Sequence, residues 1–154
     1  MTRLKALFLA LIVFAFAAPP LYAQSASFER DELKIVSGDQ SYKFNIELAV
    51  TPAQQEQGLM FRTTMAPDAG MLFLYDNPHI LTMWMKNTIL PLDMVFFGAD
   101  GRIIHLVKRA VPQSLSIISS GEAARAVLEL NAGTIERLHL KLGDRIDYPS
   151  FPLN

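Results

Sequence analysis

Cysteine is absent from the whole chain of 154 residues. That excludes disulfide staples, thiolate nucleophiles and thiolate metal sites, so folding rests on core packing alone. A basic surplus is missing too. Fourteen Lys and Arg stand against fifteen Asp and Glu, a formal charge of −1, which leaves nothing to neutralise a phosphate backbone. Nucleic-acid binding is therefore not expected. Histidine is scarce, and His79, His105 and His139 lie far apart, without metal-ligand spacing. His105 and His139 read as structural or surface residues. No Gly-rich phosphate loop, serine nucleophile elbow or H-E-x-x-H pattern occurs. The familiar hydrolase and redox templates have little to stand on. Internal repeats and linker segments are missing as well.

What is present suffices for one core: 51% of residues are hydrophobic and 19% charged. The chain opens with Arg3 and Lys5, followed by an uninterrupted apolar run over residues 6–18. Thirteen residues are too few to cross a bilayer as a permanent helix but suit a signal-peptide core. Pro19 and Pro20 break that run, and Leu21-Tyr22-Ala23 offers a small residue for cleavage before Gln24. Residues 1–23 are expected to be removed, leaving residues 24–154 as one periplasmic or secreted domain of formal charge −3 with no membrane span. An uncleaved anchor is the competing reading.

The mature segment alternates like a β protein. Residues 28–36 read as a strand ended by Ser37-Gly38-Asp39-Gln40. Tyr42, Phe44, Ile46, Leu48 and Val50 then alternate strictly with polar or small residues, as on a strand with one buried face. Thr51-Pro52 has the form of a helix cap followed by proline, which predicts a short helix over 52–57 ended by Gly58. Apolar segments at 70–75, 81–86 and 92–97 predict three further strands, separated by loops at 76–78 and 87–91. Asp100-Gly101 predicts a hairpin from 94–97 to 102–108. Residues 112–121 read as a surface loop, 124–130 as a strand, 135–140 as a short helix and 144–148 as a last strand. Such a chain is α+β and mainly β: a compact, largely antiparallel barrel-like or sandwich domain with two short helices.

Chemistry concentrates in one window. Apart from the initiator, every methionine falls between Met60 and Met94, together with the single tryptophan, Trp84. Arg62, Lys86, Asn87, Thr88 and Asp93 interrupt the same apolar sequence. Charges in such surroundings are costly to bury and need a partner. On a structural reading, Asp93 pairs with Lys86 or Arg62, and the methionines fill an irregular core. On a functional reading, the polar groups line a pocket with aromatic and thioether walls. A sharper idea is a copper(I) carrier: on a strand, Met83 and Met85 would project to one face near His79 and pinch a soft monovalent ion.

Gly58-Leu59-Met60-Phe61-Arg62, Gly70-Met71-Leu72-Phe73, Trp84-Met85-Lys86-Asn87-Thr88 and Pro91-Leu92-Asp93 resemble the domain of unknown function 192 (DUF192) family. Val127-Leu128-Glu129-Leu130, Ala132-Gly133 and Gly143-Asp144 are similar to its pattern as well. The likeness runs over about residues 44–146. It implies a compact β-rich α+β fold, often exported, and brings no activity, substrate or cofactor. Its motif positions include Arg62, Met85, Lys86, Asn87, Asp93 and Glu129. One departure lies at 117–122, where relatives tend to be richer in proline and often carry an aromatic residue.

Three functional expectations follow. The first is an exported binding or accessory module for a small molecule or envelope component, with a site drawn from Arg62, Trp84, Lys86, Asn87, Thr88, Asp93 and Glu129. The second is an enzyme acting on an envelope component, with Asp93 or Glu129 as acid–base and Lys86 or Arg62 stabilising an anion. It requires the carboxylates to share a cleft. The third is the copper carrier, through Met83, Met85 and His79.

Overall fold

A computed structural model describes residues 26–151; the expected signal segment and its cleavage site lie outside them. The chain runs β1 (Glu29–Ser37), β2 (Gln40–Ala49), α1 (Pro52–Gln57), β3 (Ala69–Met83), β4 (Leu92–Phe97), β5 (Ile103–Ala110), β6 (Ile118–Asn131), α2 (Thr134–Arg137) and β7 (Arg145–Asp147). The strands form one curled sheet in the order β5-β4-β6-β3-β2-β1-β7, a half-barrel. Every pairing is antiparallel except β2 with β3, which run parallel across the connection that carries α1. The mainly β architecture with two short helices is as the sequence predicts.

The helix over 52–57 forms at its predicted bounds because its cap closes both ways. The Thr51 hydroxyl accepts from the Gln54 amide, and the Gln54 side chain accepts from the Thr51 amide. Three expectations need correction. The loop expected at 76–78 is an interruption inside the single long strand β3, where the register with β6 shifts between Leu74 and His79. Pro78 has no N–H to offer a ladder, so it is tolerated where pairing lapses. A second shift follows between Ile80 and Thr82, and Ser120 supports it by accepting from Leu81 N (2.9 Å) and donating to Glu122 O (2.6 Å). Second, β6 starts at Ile118, inside the segment expected to be loop, because it must partner the far end of β3. Third, the second helix is a single turn, Thr134–Arg137, capped at Leu138 rather than reaching residue 140.

Both faces of the sheet are apolar. Leu33, Phe44, Leu72, Val95, Ile103, Leu128 and Ile146, one from each strand, pack together inside the curl with Ile135 of α2. Met71, Phe73, Met94, Phe96 and Val127 face outward and are covered by Leu59, Met85 and Leu90 from the connecting segments. Phe96 and Phe97 are both fully buried, one on each face, and each burial contributes about 2 kcal/mol. The outermost strands meet at one corner. Ile103 N donates to Asp144 O (2.7 Å), Gly143 N to Ile103 O (2.9 Å) and Ile146 N to Gly101 O (2.9 Å).

Candidate functional site

Alternation along β6 decides where its one buried acid points. Leu128 and Leu130 face into the curl, so Val127 and Glu129 face outward. In register, Glu129 lies between Met71 of β3 and Met94 of β4, both in the outer apolar layer. The residue is 4% exposed. Among the described residues none hydrogen-bonds to its carboxyl, and burial alone pushes its pKa up to about 8. At pH 7 Glu129 is therefore chiefly a neutral carboxylic acid. Its surroundings are a narrow pocket of about 70 Å³, walled by Phe73, Tyr75, Met83, Trp84 and Thr88. The end of α1 forms the opposite wall with Gly58 and Met60.

Local sequence builds these walls. Gly58 ends α1 at φ +46°, and a Cβ there would meet the Phe73 ring at 3.0 Å, so a glycine both turns the chain and lets it approach. Gln55 fixes α1 to the sheet by donating to Leu74 O (3.0 Å). Tyr75 lies close enough to Glu129 for its phenol to be pushed up by burial first and by the Glu129 carboxyl second.

The segment Trp84-Met85-Lys86-Asn87-Thr88 is a tight turn following β3. Thr88 N donates to Met85 O (3.0 Å), Thr88 Oγ1 donates to Lys86 O (3.2 Å), and Asn87 takes the left-handed conformation that asparagine tolerates (φ +54°). Asn87 O in turn accepts from Phe61 N (2.9 Å). The turn leaves Trp84 44% exposed at the pocket, and Lys86 Nζ sits 4.9 Å from its ring centroid.

Of the seven ligand-site residues predicted from sequence, Trp84, Thr88 and Glu129 line the pocket, with Lys86 and Asn87 in the adjoining turn. Arg62 and Asp93 lie elsewhere. The expected pairing of Asp93 with Lys86 or Arg62 does not form. Arg62 makes a two-pronged ion pair with Glu47 (Nη1 to Oε1 2.9 Å) and lies over Phe28, beside a separate concavity of about 560 Å³. The pair holds Glu47 below the usual carboxylate range and raises Arg62, in each case chiefly through the shared hydrogen bond. Asp93 shares the inner face with Val95 and Phe97, opposite to Glu129. Both of its oxygens accept from backbone: Oδ1 from Arg109 N and Oδ2 from Ile135 N, each at 2.8 Å. The two candidate acid–base carboxyls thus do not share a cleft.

The strand geometry expected to present Met83 and Met85 together is not formed either. β3 ends at Met83, and Met85 follows in coil with no exposed surface. His79 is exposed, with Nδ1 at 3.0 Å from Asn77 O. The thioethers at the pocket are those of Met60 and Met83. Among the described residues no three His, Asp or Glu side chains gather as a metal site. Sequence reasoning missed Phe73, Tyr75 and Met60 as pocket residues. Met60 carried a signal in the methionine cluster and Phe73 in an apolar strand, but core packing explains either equally well. A larger concavity of about 680 Å³, near Tyr42, Met65 and Arg137, has no buried acid or base in its wall.

Comparison with known proteins bears on the family and the fold. The DUF192 family model, described as "Uncharacterized ACR", matches residues 33–148. A crystal structure from Sinorhizobium meliloti 1021, described as a candidate transcription regulator, is 44% identical with a TM-score of 0.79, covering 82% of this chain and 99% of that one. A protein of unknown function from Novosphingobium aromaticivorans DSM 12444 is 36% identical with a TM-score of 0.77, covering 86% and 94%. No curated protein matches.

Proposed function

The chain belongs to the DUF192 family, and from that premise we propose that it is an exported binding module whose site is the pocket around Glu129. One observation carries the reading: the carboxyl of an almost wholly buried residue, without a protein partner among the described residues, opening on aromatic and thioether walls beside a half-exposed tryptophan. An unpaired buried acid costs stability, and a ligand that satisfies it offsets that cost. Export rests on the basic start and the apolar run before Ala23. Among the described residues no helix is long and apolar enough to cross a membrane. The enzyme alternative has less support, because Asp93 has both oxygens engaged on the other face and Glu129 stands without a second acid or base of that pair.

Native mass spectrometry of untagged protein recovered from the cell envelope tests the reading. The expected result is a polypeptide beginning at Gln24 with an added organic mass, which the Glu129→Gln protein loses. A bare polypeptide from both proteins overturns the binding reading, a single copper ion as the added mass overturns the organic one, and a retained N-terminal segment overturns cleavage.

A further inference from the structure

The walls of the Glu129 pocket are selective in charge. They carry two acids, Glu129 and Glu56, three aromatic rings, Phe73, Tyr75 and Trp84, and two thioethers, Met60 and Met83. Among the described residues no Lys, Arg or His lines it. Aromatic faces attract cations, and here the indole already holds one, the Lys86 ammonium beside the turn. An anion would meet two acids and the ring faces, with the amides and hydroxyls of Gln55, Gln57, Thr82 and Thr88 as neutral groups and no cation to balance it. A neutral group could hydrogen-bond the protonated carboxyl but would gain nothing from the attraction of the ring faces for a cation.

The size narrows the choice. The water-accessible space is small, about 70 Å³, and suits a slender terminal CH₂–NH₃⁺ better than a ring or a guanidinium with its stem. Anything longer must pass out beside Trp84. We propose that the pocket receives the end of an alkylammonium chain, with the Glu129 carboxyl as its counter-ion and the rings of Tyr75 and Trp84 beside it. The inference rests on the binding-module reading and names its ligand class. A soluble amine and a lysine side chain of another protein carry the same chemistry.

Proton balance follows from the acid's resting state. Entry of R–NH₃⁺ draws the O–H proton of Glu129 off to solvent, and an ammonium–carboxylate pair forms. No covalent bond changes. The groups lining the pocket with Glu129 that bear on this step are Glu56 from α1 and Tyr75 from β3, with the Lys86 ammonium over the Trp84 ring. Affinity therefore rises with pH by up to about tenfold per unit below the Glu129 pKa of about 8. It levels off above that, while the ammonium, with a pKa of about 10.4, keeps its charge.

The test uses ¹⁵N-labelled protein recovered from the envelope, titrated at pH 6, 7 and 8 with butylammonium, Nα-acetyl-lysine amide and butan-1-ol. The Trp84 indole N–H and the Thr88 amide are the reporters. Butylammonium should shift both saturably, about tenfold tighter than butan-1-ol at pH 8, and Glu129→Gln should remove that preference. Equal binding of lysine amide assigns the site to a protein lysine, and its exclusion assigns it to a free amine. If butan-1-ol binds as well, or the affinity is flat with pH, the ammonium inference fails while the pocket stands. If none of the three shifts the reporters in protein freed of any added mass by denaturation and refolding, the ammonium inference fails, and the binding reading fails with it only where the recovered protein was bare. The pH response of the unaltered protein decides the matter even if the variant folds poorly.

Discussion

Burying the Glu129 carboxyl reverses the usual pH preference of an acidic side chain. In the unfolded chain it ionises near its ordinary value of 4.5, whereas in the fold it holds its proton to about 8. Between those values the unfolded state loses a proton that the folded state keeps. Stability is fully present below 4.5, falls by up to about 1.4 kcal/mol per pH unit, and levels off above 8. Glu129→Gln keeps the shape and removes the ionisation. It should match the parent at pH 4.5 and be more stable by about 3 kcal/mol at pH 7, as read by urea unfolding. A gain independent of pH would mean that the carboxyl is ionised in the fold. As sequence signals Glu129 and Asp93 are alike, each a single acid in an apolar run. What separates them is the strand order, which sets the face each parity meets, and that order is not written in any local pattern.

At the scale of elements, Asp93 ties β4 to the end of β5 and to the first turn of α2. Gly133, at the helix cap, has no side chain to accept from the Ile135 amide, and Asp93 supplies the oxygen from a neighbouring strand. Asp93→Ala leaves two backbone donors without acceptors. It should cost about 3 kcal/mol in urea unfolding, while shifts at the Glu129 pocket, measured on the folded protein, stay unchanged. Loss of ligand response with stability intact would return Asp93 to the site. Elements with chemical punctuation were legible: Thr51-Pro52 and Gly58 bounded α1, and Pro91 and the Asp100-Gly101 turn bounded β4. Where punctuation was borrowed, reading failed. Asp76-Asn77-Pro78 has turn chemistry but sits in a strand irregularity, and the serines at 119 and 120 satisfy backbone groups instead of ending a strand. The parallel pairing of β2 with β3 needs a partner distant in sequence and left no trace in either strand.

For the whole molecule, the corner where β5 meets β7 depends on Gly101. Its φ is +77°, and a Cβ there would lie 3.0 Å from Phe151 Cβ and 3.2 Å from Ile146 Cγ2. Gly101→Val should strain the turn and push the two edges apart, at a cost of about 2 kcal/mol. Amide exchange should then quicken at Ile103, Gly143 and Ile146 before it does at the β4 and β6 ladder. Unchanged protection at those three amides would show that the corner is held by other contacts. The same corner bears on self-assembly. An open sheet offers two bare margins of N–H and C=O groups, each a template on which another chain can add a strand. Here the margins are turned upon each other, and the length left for recruitment is shortened from both sides. Resistance to fibre growth therefore belongs to the curvature that brings the margins together, and a molecule flattened by one side chain at residue 101 would lose it while keeping its surface charge.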